Sequence, residues 1–262
     1  MPAGSAGDDP GRLVVAGPLA RTAEDAGLLL DAMVDEPLAR VQFGPEPDFL
    51  GAARRAEGRF RIGASTASPF ATRYPLWLEP EAKAAFERGV GLLTGLGHDV
   101  LDTDFRYDNR YPEAFTTAWT SGLAHVRIPA SREPQLMPLT RGFRRRALER
   151  SAGELDQALA VLAKFQEDTV SQYSAFDLVL TPALAMTPRP VGWYTEHSAE
   201  VDYMRQCQYS PFSSMVNVCG LPAIAVPVLT TPKGLSMGIQ LIGRPGSEAQ
   251  LLTVAAQLET VR

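Results

Sequence analysis

The sequence predicts an α/β fold, and three observations carry that prediction. Short apolar runs of β-type residues alternate along the chain with segments whose apolar residues recur at helical spacing. Of 262 residues, 45% are hydrophobic and 21% charged, with a net charge of −5. That is too apolar and too weakly charged for a disordered chain, and long enough to bury a sizeable core. The last quarter reads as strand, turn, returning strand and capped helix.

The elements follow in order. Residues 1–12, rich in Gly, Asp and Pro, read as a flexible lead-in. Thr22 and Asp25 resemble a capping box with Asp in place of Glu, and Ala26, Leu29, Leu30 and Met33 follow at i, i+3, i+4 and i+7. This predicts an amphipathic helix of about three turns. Residues 60–65 (FRIGAS) read as a short buried strand. Residues 79–96 predict a helix with Ala82, Ala85, Phe86, Gly89, Leu93 and Leu96 inward and Lys83, Glu87 and Arg88 outward. Gly97-His98-Asp99 ends it, and Val100-Leu101 begins a strand, which makes an αβ unit. Residues 111–126 fit a helix, within a less regular stretch running to 150. A clear apolar stripe of Leu155, Leu159, Leu162, Phe165, Thr169 and Tyr173 predicts a helix over 153–173. Residues 177–182 form a β-type run ending at a proline, and a Pro-rich loop follows to about residue 197. Residues 222–228 read as a strand with prolines at its limits, 230–234 as a turn and 237–243 as the return, a hairpin or near-hairpin. Ser247 and Gln250 suggest a capping box for a last helix carrying Leu251, Leu252, Ala255 and Leu258.

Composition also excludes function classes. An acidic balance lacks the Lys and Arg surplus of a nucleic-acid footprint. The longest apolar run, residues 221–229, is nine residues with two prolines, too short to cross a membrane. The first residues show neither a basic nor an apolar signal region. Cys207 and Cys219 match no zinc spacing and read as incidental thiols of a cytoplasmic protein.

A search for chemistry returns little. There is no G-x-S-x-G elbow. Ser65 and Ser68 follow a strand, where a nucleophile could sit, but read as loop hydroxyls bonded to the backbone. His98 lies at a helix C-terminus, which suits a cation. His125 and His197 have no His or Cys at ligand spacing, so no metal is expected. The three lysines, Lys83, Lys164 and Lys233, occupy helix faces and a turn and read as solvated. Arg141, Arg144, Arg145, Arg146 and Arg150 form a basic run that could grip an anion, but it reads as one solvated helix face.

Several stretches nevertheless resemble a known family. Gly17-Pro18-Leu19-Ala20-Arg21-Thr22, continuing to Leu30, resembles the G-P-[ML]-A-R-T segment of the amidase signature family. Asn217-Val218-Cys219-Gly220-Leu221-Pro222-Ala223, continuing to Pro227, resembles its N-x-[TS]-G-x-P-A segment, with Cys219 where Thr or Ser is usual. Residues 238–252 match its closing G-[LI]-Q-L-[IV]-G-R-P-x-x-E-x-x-L-L, and residues 177–182 its D-[LV]-[LV]-L-T-P. The matches run in family order over nearly the whole chain.

The resemblance implies a large mixed β-sheet flanked by helices on both faces, with residues 13–262 as the C-terminal part of a single amidase domain. It implies hydrolysis of a carboxamide to a carboxylate and ammonia or amine, with no cofactor. The family's Ser–cis-Ser–Lys triad belongs to text that precedes the GPLART-type segment, and nothing before Gly17 matches it. Ser5, between Gly4 and Ala6, is not a convincing counterpart. No catalytic residue is therefore assigned, and the chain is expected to be inactive and to fold poorly alone. Trp119 and Phe212 are the expected pocket walls, Phe212 within Tyr209-Ser210-Pro211-Phe212-Ser213-Ser214, which is similar to the family region near the active site. A homo-oligomer or a complementing N-terminal fragment is the expected partner. A truncated gene product and a non-catalytic small-molecule binding or partner subunit remain as alternatives.

Overall fold

In a computed structural model, which describes residues 13–34 and 48–262, five strands form one mixed sheet. They are β1 (Arg61–Ala64), β2 (Asp99–Asp102), β3 (Leu178–Pro182), β4 (Ala223–Thr230) and β5 (Ser236–Gly243), in the order β2-β1-β3-β5-β4. β1 pairs in parallel with β2 and with β3, whereas β3–β5 and β5–β4 are antiparallel. β3 is thus the seam between the two kinds of pairing. All five of its residues are buried, as a strand covered on both faces requires. The lead-in expected over 1–12, and Ser5 within it, lie outside the described residues.

Nine helices are described: α1 (Ala23–Val34), α2 (Phe49–Arg55), α3 (Pro80–Gly95), α4 (Tyr111–Ser121), α5 (Pro138–Glu149), α6 (Ala152–Tyr173), α7 (Ala199–Tyr209), α8 (Ser214–Cys219) and α9 (Glu248–Glu259). The pleat sorts them. Leu178, Leu180, Ile239 and Leu241 share a core with α1, α2, α3 and α9. Val179 and Ile242, one residue out of phase, share the opposite core with α4 to α8. The mixed sheet with helices on both faces is as expected.

Several local expectations change. The fully buried residues of α1 are Ala23, Gly27 and Val34; of the expected stripe, Ala26 and Leu30 pack partly buried against the core, whereas Leu29 is exposed. The reason is close packing on α2: a Cβ on Gly27 would stand 2.8 Å from the carbonyl oxygen of Phe49. Both carboxylate oxygens of Asp31 accept the Phe49 and Leu50 N–H groups at 2.9 Å, pinning α2 to α1. Ser247 does not cap α9 through its side chain; its hydroxyl donates to the Arg244 carbonyl at 2.7 Å. A complete capping box occurs instead at Ser151 and Glu154, opening α6. β4 runs through Pro227 to Thr230, because Pro227 sits at a bulge on an edge strand.

Candidate functional site

The loop between α7 and α8 is fixed against the sheet by two side chains, Gln240 and Ser68. Gln240, buried on β5, donates to the Thr181 hydroxyl at 3.0 Å and the Phe212 carbonyl at 3.1 Å. Ser68 holds the neighbouring residue: its hydroxyl donates to the Pro211 carbonyl at 2.7 Å and accepts the Phe70 N–H at 3.2 Å, capping the 3-10 turn Pro69–Thr72. Phe212, 2% exposed, packs with buried Ala185 and Met186 and against Trp193 and Tyr209.

The Pro-rich stretch after β3 walls this region. Ala185 donates its N–H to the Tyr209 carbonyl at 3.0 Å, and its carbonyl accepts the Glu79 N–H at 2.9 Å. The Glu79 carboxylate accepts from the Thr187 N–H at 3.0 Å, the Thr187 hydroxyl at 3.1 Å and the Arg189 guanidinium. Burial pushes its pKa up, but the Arg189 and Thr187 bonds more than offset this and hold it below the usual value. Arg189 and Arg205 both lie over the Trp193 ring, 5.3 and 5.0 Å from its centroid. Sequence patterns give no role to Glu79, Arg189 or Gln240. The Glu79 link joins residues about a hundred positions apart, which no local pattern displays.

The structure does not bring Trp119 and Phe212 together. Trp119, 45% exposed, stacks on Phe115 and Tyr203 in the aromatic core of α4, α5 and α7. Ser65 is buried and its hydroxyl accepts the Ala67 N–H at 3.2 Å, so both candidate serines are held by the backbone. Lys83 pairs with Glu87 and Lys164 with Asp168, both on exposed helix faces, and Lys233 is exposed in the hairpin turn.

Two expectations about charge are corrected. His98 is 4% exposed, stacked on Phe60, with Nδ1 accepting the Phe60 N–H at 3.2 Å. Burial lowers its pKa, so the neutral ring is favoured in place of the helix-end cation. The arginine run is not one solvated face. Arg144 is buried, paired with Glu133 at 3.0 Å and donating to the Leu123 carbonyl; Arg150 donates to the Thr117 carbonyl and Thr120 hydroxyl. Arg146 pairs with Glu200 of α7 and, with Arg73 and Glu113, lines a polar cleft of about 560 Å³.

Among the described residues no group of three or more His, Cys, Asp or Glu is placed to hold a metal. Cys207 and Cys219 are free and buried, and burial pushes both thiols up to about 12. Thiols so perturbed are not nucleophiles at neutral pH.

The family model for amidases matches residues 8–252. The chain belongs to the amidase family. This amidase-family chain is 33% identical over 250 residues to the putative amidase AmiB2 of Mycobacterium tuberculosis, covering 95% of itself and 52% of that protein. It is 30% identical over 273 residues to one of the subunits of the glutamyl-tRNA(Gln) amidotransferase of Mesorhizobium japonicum, covering 93% and 51%. Its fold matches a 6-aminohexanoate cyclic dimer hydrolase with a TM-score of 0.78 at 22% identity, covering 92% of this chain and 53% of that one. The chain spans about half the length of the curated relatives it matches.

Proposed function

We propose that this chain supplies the C-terminal half of an amide hydrolase that converts a carboxamide to a carboxylate and ammonia or an amine. The nucleophile, the bridging serine and the lysine come from a polypeptide segment other than residues 13–262. Residues 13–262 contribute a wall of the pocket: Phe212 as its apolar side chain, and Gln240 as the residue that positions the Phe212 loop, while Trp119, expected as a second wall, lies in a separate aromatic core. In the assembled enzyme the lysine deprotonates the bridging serine, which takes the nucleophile's proton as its oxygen attacks the amide carbon. Backbone N–H groups hold the oxyanion, the amine leaves with a proton, and water then cleaves the acyl ester.

The observation that carries this reading is the state of the chain's own candidates. Its three lysines are exposed and its two strand-end serines are committed to backbone bonds. A lysine serves as a general base where burial and its neighbours disfavour its charged form, and none of these three is buried. A fluorophosphonate probe that modifies activated serines is expected to leave residues 13–262 unlabelled. Stoichiometric labelling of a single serine would overturn the assignment.

A second reading, a non-catalytic partner subunit, draws on the relative that is itself named a subunit. Saturable binding of a simple carboxamide to the chain, with no turnover after an N-terminal half is added, favours it. We place the protein in the cytoplasm: its two cysteines are free and buried, and no described helix is long and apolar enough to cross a membrane.

A further inference from the structure

The polar cleft of about 560 Å³ between α4, α5 and α7 shares no lining residue with the Phe212 region. Three guanidiniums crowd it. Burial raises the pKa of the Tyr74 hydroxyl, and Arg73 and Arg146 are both near enough for their charges to oppose the rise. Arg150 is half-buried; burial lowers its pKa, and the like charge of Arg146 lowers it further. Crowded like charges are normally compensated by carboxylates or by hydrogen bonds. Here that compensation is incomplete. The Arg146 guanidinium donates no hydrogen bond among the described residues. Its Nε is buried without a partner, and its ion pair with Glu200, at 3.6 Å, is longer than a hydrogen bond.

The acidic groups of the cleft are open as well. Glu154 is committed to the Ser151 cap. Glu113, in the first turn of α4, and Glu149, at the end of α5, are exposed, and their carboxylates make no ion pair or hydrogen bond among the described residues. With Glu200 the cleft holds four carboxylates against three guanidiniums. A lining so nearly balanced does not gather phosphate or another multiply charged anion, which guanidiniums alone would attract. It suits a ligand that carries both signs. Tyr203, Val201 and Met204 complete the walls and give an uncharged stem a surface to pack on.

We propose that this cleft binds a short linear zwitterion, of which a small peptide is the simplest case, with its carboxylate on Arg146 and its ammonium on Glu113. A carboxylate can accept two N–H groups from one guanidinium, and so supplies the hydrogen bonds that Glu200 does not. Glu113 stands on α4 and Arg146 on α5, so the two ends of the ligand meet different walls of the cleft. The inference does not depend on the hydrolase reading.

The test is calorimetric titration of the full 262-residue chain, and of the same chain fused to the part of AmiB2 that it does not match, with triglycine, N-acetyltriglycine and triglycinamide. The acetyl group removes the ammonium, and the terminal amide removes the carboxylate. Triglycine is expected to bind one to one and at least about tenfold more tightly than either blocked form, since each blocked form loses a charge-assisted contact. Glu113→Gln should weaken triglycine about tenfold and leave N-acetyltriglycine unchanged, because only the ammonium meets Glu113. Arg146→Met should weaken triglycine by a similar factor and leave triglycinamide unchanged. Arg145→Gln, on the same helix but outside the cleft, should alter none of the three. An equal loss across all three peptides in both cleft variants would overturn the two contacts. No triglycine binding by either protein, equal affinity for the three peptides, or tighter binding of inorganic phosphate would overturn the zwitterion. Amide turnover is read separately: a fusion that binds triglycine and hydrolyses no carboxamide sinks the hydrolase reading and leaves the ligand of the cleft standing.

Discussion

At His98 the helix C-terminus favours a cation and burial opposes it, and burial wins. The folded pKa lies below the ordinary value near 6.5, so the unfolded chain binds the extra proton first. Stability from this group is therefore full above pH 6.5 and is lost as pH falls below it, until the folded ring also protonates. His98→Gln is expected to flatten the fall in Tm between neutral pH and pH 5, measured by thermal melts across that range. Gln240 carries a different burden, since one amide group serves two acceptors in the sheet's interior. Gln240→Leu leaves the Phe212 carbonyl without that donor at a cost of about 1–3 kcal/mol. Urea titration should show the loss, and amide exchange should show the 209–213 loop opening faster. Neither role is readable in the sequence. Gln240 sits inside a matched motif, but its partners are remote and a motif does not name them.

Among the elements, strands are easier to read than helices, for a physical reason. β1, β3 and β5 are largely buried on both faces, so their residues form nearly unbroken apolar runs ended by Gly or Pro or beside them. Helical periodicity does not display α5 and α7. α5 buries Phe143 against Trp119 and Tyr203 but adds Arg144, paired with Glu133, and Arg146, paired with Glu200, contacts that a hydrophobic stripe does not register. α7 buries Asp202 and Gln208 alongside Tyr203 and Cys207. α1 is legible but with its face rotated, because glycine closeness, not side-chain bulk, decides which side meets α2. Gly27→Ala forces a Cβ to 2.8 Å from the Phe49 carbonyl oxygen. It should destabilise by about 1–3 kcal/mol, read from the shift in urea midpoint. At α6 the reciprocal Ser151–Glu154 box satisfies two helix-end groups, and Ser151→Ala should cost about 1 kcal/mol in the same measurement.

For the molecule as a whole, fold class and family are legible in the sequence and the sheet order is not. Alternating elements and ordered motifs survive in one dimension, whereas β1 beside β3 is a contact across more than a hundred residues. The apolar surface on residues 14–29 is equally hidden, since Leu29 fits a buried stripe until the packing of α1 is known, and nothing local marks Leu19 or Leu28 as exposed. The triple substitution Leu19→Ser, Leu28→Ser, Leu29→Ser should reduce binding of an apolar fluorescent dye to the isolated chain. Its Tm should stay within a degree or two, because exposed positions rarely shift stability by more than about 0.5 kcal/mol. The seam at β3 also constrains the order of events during synthesis. Arg61 bonds Asp177, 116 residues later, so a nascent chain can pair β1 only with β2 until α6 has been made. Closing so long a loop is entropically slow, while the β4–β5 hairpin that follows is local and fast. β1 therefore keeps one edge bare until residues 178–182 emerge, and β3 then keeps its other edge bare until β5 at 236–243 is made, so that interval is when unpaired strand edges are exposed to aggregation.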